Sequence, residues 1–313
     1  MKFKLHFLAS ILMLSAGIHA QKKKVTKPQS EASKIIQLSN SVIDLSNYYS
    51  NSIENYKNLL SSARSNVERV IKNPNLTPYA IKCDLTPVQP GTQNAYATAL
   101  NNAPIFDEKE AIKKNVSEGE NKIKSIDKWC TAMSTYMSNK DFKEDKKLVK
   151  YNQISDSLLS NIEKSEISWR TAANLASIAG NKAELVLLKN SPLASFVIPM
   201  KKDLNDLNAI FNLFQTKTPD VDAIKSALNT LQTSIETNKN INKKDTTKLK
   251  DVYYKNVYET FYLKCSSAAE SLNTVTNRLQ EKKPDTNNIE SWFSSASSDY
   301  NEAVKSYNTF VSQ

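Results

Sequence analysis

The residues whose spacing most resembles a catalytic pair are Ser125 and Lys128, one helical turn apart in the sequence Ser-Ile-Asp-Lys. In penicillin-binding proteins and class A β-lactamases, an S-x-x-K motif supplies the serine nucleophile and works together with S-D-N and K-T-G motifs. Neither companion motif occurs in this chain. Because serine and lysine are both abundant here, a chance match is expected, and we predict no catalytic role for this pair.

Acid–base chemistry would have to rely on carboxylates, because both histidines lie within residues 1–20, which we predict to be removed. Histidine is the commonest general base and a frequent zinc ligand. The carboxylate pairs Asp203/Asp206 and Glu118/Glu120 could act as general acid and base in a cleft. We expect them instead on polar helix faces, as solvated charges. We therefore predict that the protein is not an enzyme and holds no cofactor or metal ion.

Four tyrosines on one predicted helix are the candidate contact residues for a partner, and these are Tyr253, Tyr254, Tyr258 and Tyr262. Residues 254, 258 and 262 share a face with Phe261, so their rings could stack on a sugar or on a partner helix. An aromatic stripe on a helix is more commonly part of a core. The sequence leaves both interpretations open.

A second candidate contact surface is the proline-rich stretch 73–106. We predict that it is a long irregular connection, because prolines and Gly91 punctuate it. Loops of this length commonly carry function. Its apolar residues suggest that part of it packs on the protein, and they are Tyr79, Ile81, Leu85 and Val88.

The three cysteines are Cys83, Cys130 and Cys265. In an oxidising compartment this number gives one disulfide and one free thiol. We favour a Cys83–Cys130 bond, because it would tie the long connection to the next helix. A bridge that closes a loop of this size is worth about 3–4 kcal/mol in the chain-entropy model. Cys265 is then expected to be a small buried apolar residue.

The N-terminal residues are typical of a secretory signal peptide. Lys2 and Lys4 precede an apolar stretch at 5–16, and Ala20 offers a small residue before a cleavage site. The apolar stretch is short for a membrane span. We predict a signal peptide at 1–20 and an exported protein, periplasmic or secreted. No cysteine follows the apolar stretch, so we expect no lipid anchor.

The chain carries 42 Lys and Arg against 32 Asp and Glu. Nearly all of the basic residues are lysines, and arginine is the preferred residue for reading phosphates and base edges, so we expect no nucleic-acid partner. Residues 21–29 form a basic arm that could touch an anionic surface weakly, although a solubilising tail is the simpler interpretation. No later apolar run is long enough for a stable membrane span.

The longest element predicted is a helix over Ser30–Asn73, which contains no proline or glycine. Its apolar residues recur at steps of three and four, which keeps one stripe on one face for about 60 Å. That stripe needs partner helices to cover it. The stripe consists of Ile35, Leu38, Val42, Leu45, Tyr49, Ile53, Tyr56, Leu60, Ala63, Val67 and Val70.

Further helices follow with recognisable starts. Asp107 is a predicted N-cap, and Asp285 is predicted to cap the last helix. Ser191-Pro192 is predicted to open another helix, which Pro199 is expected to kink or restart. No stretch alternates as a strand would. We predict an all-α fold, an elongated up-and-down bundle of about seven helices that forms a single domain over residues 30–313.

An apolar hairpin over residues 185–200 supports an alternative, membrane-active function, because helical pore-forming toxins hide and release comparable elements. Lys189 interrupts the hairpin, and each arm is short of a span. A buried turn between packed helices is the ordinary interpretation of such a hairpin.

Two stretches resemble the YiiG-like family of bacterial envelope proteins. They are YMSNKDFKEDKK at Tyr136–Lys147 and DYNEAVKSYN at Asp299–Asn308. The resemblance implies an exported helical protein with no established activity. Many members of that family are lipoproteins, and this chain lacks the cysteine for an anchor. Together these patterns favour a non-enzymatic protein that binds an envelope protein or polysaccharide.

Overall fold

The structure is a computed structural model that describes residues 26–73, 75–83, 90–189, 191–214, 218–240, 252–281 and 285–312. Within these ranges the chain forms helices and no strand, which confirms the all-α prediction. The predicted signal peptide and most of the basic arm lie outside the described residues. The helices are α1 (Lys27–Lys72), α2 (Pro90–Asn102), α3 (Lys109–Ser138), α4 (Val149–Leu188), α5 (Ala194–Phe214), α6 (Val221–Asn240), α7 (Val252–Leu279) and α8 (Thr286–Val311).

The contacts of the chain divide it into two compact units. The N-terminal unit is Glu31–Ala183, and the C-terminal unit is Glu184–Gln313 together with the start of α1 as far as Ser30. The sequence predicts a single bundle over residues 30–313, and the two units are the finer organisation inside that range. The sequence shows no boundary there, because the division falls within the continuous helix α4.

The core of the N-terminal unit is built on α1. The predicted stripe faces inward as expected, since all of its residues except the partly buried Ile35 and Leu60 are buried. Toward the end of α1, Val67 and Val70 form a cluster with Met133 and Tyr136 of α3. Burial of such side chains is worth about 1.5–3 kcal/mol each, so this stripe carries much of the stability of the unit.

Glycine at position 119 allows α3 and α4 to approach closely. A Cβ atom at this position would lie 2.6 Å from Cε2 of Trp169, which is far inside van der Waals contact. Trp169 stacks in turn on Tyr49 of α1, with ring centroids 4.3 Å apart. The Ser165 hydroxyl donates to the Gly119 carbonyl at 3.4 Å. Glycine therefore sets the spacing of three helices.

Replacing Gly119 by alanine is expected to destabilise the N-terminal unit by about 1–3 kcal/mol, because the methyl group displaces the Trp169 ring. The better helix propensity of alanine, worth about 1 kcal/mol, offsets only part of this cost. Gly91→Ala is the matched control, because no atom lies within 4 Å of the Cβ built there. Urea denaturation measures both variants, and equal stability of the two would contradict the close-packing argument.

Two predictions about the helices are wrong. The predicted irregular connection contains α2, which begins with Pro90 at its first position, where the missing N–H costs nothing. Helix α3 has Glu108, not Asp107, at its N-cap, without a side-chain capping bond. Pro199 does not restart a helix, since it lies inside α5, where burial of the neighbouring Phe196 and Met200 offsets the lost hydrogen bond.

The core of the C-terminal unit is formed by α5, α6, α7 and α8 and is rich in aromatic rings. Phe211 of α5 meets Phe293 of α8 edge to face, with centroids 5.5 Å apart. The predicted cap of α8 is present, since Asp285 accepts from the backbone N–H groups of Asn287 and Asn288. Asp220 likewise accepts from the N–H of Ala223 at the start of α6. These acids fix where the helices begin.

Candidate contact surfaces and buried polar groups

The segment 77–83 has no regular secondary structure and is held on the N-terminal unit by side chains. Asn66 of α1 makes two bonds to Tyr79: its Nδ2 donates to the Tyr79 carbonyl at 3.0 Å, and its Oδ1 accepts from the Tyr79 N–H at 3.1 Å. The Ser134 hydroxyl of α3 donates to the Ile81 carbonyl at 2.9 Å. The segment is thus anchored to two helices.

The Tyr79 ring projects from this anchored segment and is 67% exposed. The guanidinium carbon of Arg69 lies 4.1 Å from the ring centroid, so a cation covers one face. Arg69 is itself fixed, because its Nη2 donates to the Thr77 carbonyl at 2.7 Å and to Asn66 Oδ1 at 3.1 Å. Of the apolar residues expected to pack on the protein, Ile81 does so and Tyr79 does not, while Leu85 and Val88 lie outside the described residues.

A disulfide joins Cys83 to Cys130 of α3, with an S–S distance of 2.04 Å. This is the pairing that the sequence favours. It closes a stretch with a sequence separation of 47 residues and anchors the end of segment 77–83. Cys265 is free and buried, and burial raises the pKa of its thiol. A buried neutral thiol behaves as a small apolar side chain.

The four tyrosines of α7 do not form one exposed surface. Tyr258 and Tyr262 are buried, whereas Tyr253 is 57% exposed and Tyr254 is half-buried. The expectation that Tyr258 and Tyr262 contact a partner is therefore corrected. They lie on the same side of the helix as Phe261 and Cys265, which is the side that faces the core. The Tyr258 hydroxyl donates to the Asn238 carbonyl at 3.0 Å.

An exposed apolar surface remains on α7. Tyr253 packs edge to face on Tyr254, with centroids 5.2 Å apart. Val252 and Leu263 are also largely exposed on this helix. We call Val252, Tyr253, Tyr254 and Leu263 the α7 surface. Of the four tyrosines predicted to contact a partner, Tyr253 and Tyr254 are the two that solvent can reach.

The apolar hairpin over residues 185–200 is packed into the C-terminal unit. Leu188, Phe196, Val197 and Met200 are buried in its core. Position 190 lies outside the described residues. Among the helices that the structure describes, none combines the length and the apolar character that a membrane span needs.

A buried ion pair in the C-terminal unit escaped the sequence analysis. Lys201 Nζ lies 2.6 Å from Glu184 Oε2, and both side chains are almost completely buried. The Tyr307 hydroxyl donates to Glu184 Oε1 at 2.7 Å. Burial lowers the pKa of Lys201 and raises the pKa of Tyr307. A signal exists in the spacing, because Lys201 falls between Val197 and Leu204 on the apolar stripe of α5.

Asp203 is also buried, which corrects the expectation that it is solvated. Its Oδ1 accepts from the Ser234 hydroxyl at 2.5 Å and its Oδ2 accepts from Asn238 Nδ2 at 2.7 Å, so it joins α5 to α6. Burial raises the pKa of Asp203 and also that of the half-buried Asp206. Since both oxygens of Asp203 are engaged by neighbouring side chains, its role in the structure is to connect two helices.

The other candidate catalytic residues lie on the surface of α3. The Ser125 hydroxyl donates to the Asn121 carbonyl of its own helix at 3.1 Å. Lys128 Nζ lies 5.9 Å from the Trp129 ring centroid. Glu118 is exposed, and Glu120 accepts from Gln93 Nε2 at 3.2 Å. Each group therefore has a local interaction of the kind common on helix surfaces.

The described part of the chain contains no group of three or more His, Cys, Asp or Glu residues placed to hold a metal ion. The candidate contact surfaces are therefore the segment 77–83 with Tyr79, whose backbone is fixed by side chains of two helices, and the α7 surface. Sequence reasoning pointed to both regions. It was wrong on Tyr258 and Tyr262 in α7, which are buried, and in the connection it counted the exposed Tyr79 among the residues that pack on the protein.

No family model matches the chain, and no curated protein matches it in sequence. The fold is similar to the crystal structure of an alpha helical protein from Bacteroides fragilis NCTC 9343, with a TM-score of 0.50 and 17% sequence identity. The similarity covers 88% of this chain and 98% of that chain. At this level of identity the similarity concerns the fold alone, and it agrees with the all-α architecture described above.

Proposed function

We propose that this chain is an exported, non-enzymatic helical-bundle protein that binds an envelope protein or polysaccharide through its surface. The observation that carries the proposal is the Tyr79 ring, which is 67% exposed on a backbone segment that side chains of two helices hold in place. Large aromatic side chains recur among the residues that dominate binding energies.

The anchoring of this segment favours binding because little conformational freedom remains to be lost. Immobilising a mobile side chain or loop costs free energy at the moment of association. Here Asn66 fixes the backbone of Tyr79, Arg69 covers one ring face, and the Cys83–Cys130 bond closes the segment. The ring is therefore presented in one orientation before a partner arrives.

Two further features support the proposal. The α7 surface offers a second exposed aromatic, Tyr253. The disulfide supports export together with the signal-like residues 1–20, since disulfides persist mainly in oxidising compartments. The resemblance to the YiiG-like family points to the same compartment.

Site-specific photo-crosslinking tests the proposal. A benzoylphenylalanine residue is placed at Tyr79, at Tyr253 or at the control Ile178, which is exposed on α4. In cells that export the protein, we expect a discrete adduct from position 79 and none from position 178. The same diffuse labelling at all three positions, or no adduct at 79 and 253, would reject a dedicated contact surface.

A further inference from the structure

We propose that Tyr79 and Arg69, the Tyr79 site, bind an acidic polysaccharide, if they bind a partner as proposed above. A sugar ring stacks on the open face of Tyr79, and an acid group contacts Arg69. The inference rests on the proposed function and adds the chemical class of the partner. It follows from the free N–H groups of Arg69, from the basic residues near Tyr79, and from the hydrogen bonds that the backbone of segment 77–83 already makes.

The Arg69 guanidinium has N–H groups that are not used within the described part of the chain. Both hydrogens of its Nη2 are engaged by Thr77 and Asn66. Within the described part of the chain, Nη1 meets no acceptor and Arg69 lies in no salt bridge, while its neighbour Glu68 pairs with Arg64 at 3.2 Å. Because both hydrogens of Nη2 are engaged and Nε is buried, Nη1 is the group of Arg69 left to donate to a ligand. A charged N–H donor of this kind makes a strong hydrogen bond to a carboxylate or phosphate oxygen, so Arg69 can bind an acid group through Nη1.

Two exposed lysines lie close to Arg69 and Tyr79 in the sequence. Lys72 follows Arg69 by one helical turn on α1, and Lys82 follows Tyr79 by three residues. Both are exposed, and among the described residues neither takes part in a salt bridge. A patch of one charge sign raises the local concentration of ligands with the opposite charge. A neutral polymer would gain nothing from this patch.

The open face of the ring favours a sugar. Arg69 covers one face at 4.1 Å, and the other face is in solvent. An aromatic face carries negative charge density, which attracts the C–H groups on the flat side of a pyranose. A polymer supplies both contacts at once, because one ring stacks while the acid group of a neighbouring unit reaches Arg69.

The backbone of the segment argues against an acidic peptide. Peptides commonly bind an extended segment by adding a strand, which requires free N–H and C=O groups. In this segment the Thr77 carbonyl, both polar backbone groups of Tyr79 and the Ile81 carbonyl are already bonded to side chains. A peptide therefore cannot pair with this side of the segment, and on the other side Pro78 has no N–H to donate. A sugar polymer needs neither side.

The test compares three probes of similar length by isothermal titration with the whole mature chain. Alginate carries a carboxylate on every sugar ring, dextran has sugar rings without charge, and poly-glutamate has carboxylates without sugar rings. We expect alginate to bind most tightly, and Tyr79→Ala to weaken it by about tenfold or more, as loss of a stacking contact implies. Ile178→Ala, at an exposed position of α4 outside the proposed contact residues, is the control and should leave alginate binding unchanged.

Lys72→Gln combined with Lys82→Gln should weaken alginate binding at low salt and have little effect at high salt, where such charges are screened. Circular dichroism confirms that each variant is folded. Equal binding of dextran would overturn the role of the acid group, and equal binding of poly-glutamate would overturn the role of the sugar.

Failure of all three probes overturns the inference without deciding the proposed function. The crosslinking experiment decides that separately. A discrete protein adduct at position 79 would support partner binding and overturn the polysaccharide, whereas a carbohydrate adduct would support both.

Discussion

Replacing Lys201 by methionine is expected to lower the free energy of unfolding of the C-terminal unit by about 3–5 kcal/mol, the usual cost of breaking a buried ion pair on one side. The methionine fills a similar volume, so the loss comes from electrostatics and not from a cavity. It leaves the Glu184 carboxylate buried with only the Tyr307 hydroxyl described as its partner. Urea denaturation combined with hydrogen exchange measures the loss in this unit.

The double variant Lys201→Met with Glu184→Leu is the control for this prediction. It removes both charges and should recover most of the lost stability, since a buried pair replaced by apolar residues is often neutral or stabilising. Together with the second single variant, Glu184→Leu, these measurements complete a cycle that gives the coupling energy of the pair. A single variant as stable as the wild type would show that the two groups are not buried together.

Removing the Cys83–Cys130 bond is expected to cost the N-terminal unit about 4 kcal/mol, because the open chain regains the entropy of a loop of this length. The variant Cys83→Ser with Cys130→Ser, compared with the wild type in urea, measures the loss. Hydrogen exchange at Tyr79 and Ile81 should rise as well, since the bond holds one end of their segment.

A reducing agent provides the control for the disulfide prediction. It should lower the urea midpoint of the wild type and leave the double serine variant unchanged. Cys265 is buried and so does not exchange with the open thiols in the folded protein. An unchanged midpoint on reduction of the wild type would contradict the expected stabilisation.

The helix content could be predicted because the apolar spacing is regular over long distances. The stripe of α1 runs from Leu38 to Val70 and is buried nearly as predicted, since steps of three and four admit one inward face. Helix α2 was missed because prolines around residues 74–90 were interpreted as breaks. Pro90 in fact occupies the first turn of a helix, a position that costs it no hydrogen bond.

The candidate site was less predictable, because exposure depends on neighbours that are distant in sequence. Tyr258 and Tyr79 are the same residue type in apolar surroundings, yet the first is buried and the second is exposed. What distinguishes Tyr79 is Asn66, which binds its backbone from 13 positions away. Likewise, the position of Lys201 on the apolar stripe of α5 indicates burial, but nothing in the sequence around it identifies Glu184 as its partner.

The hydrogen bonds of segment 77–83 also bear on how the chain resists proteolysis. Proteases cut exposed, irregular chain most readily, and susceptibility depends on whether the backbone is free to leave its hydrogen bonds. Here the carbonyls of Thr77, Tyr79 and Ile81 are all bound to side chains of helices. We therefore expect the peptide bonds beside Tyr79 to resist cleavage although the Tyr79 ring is exposed to solvent.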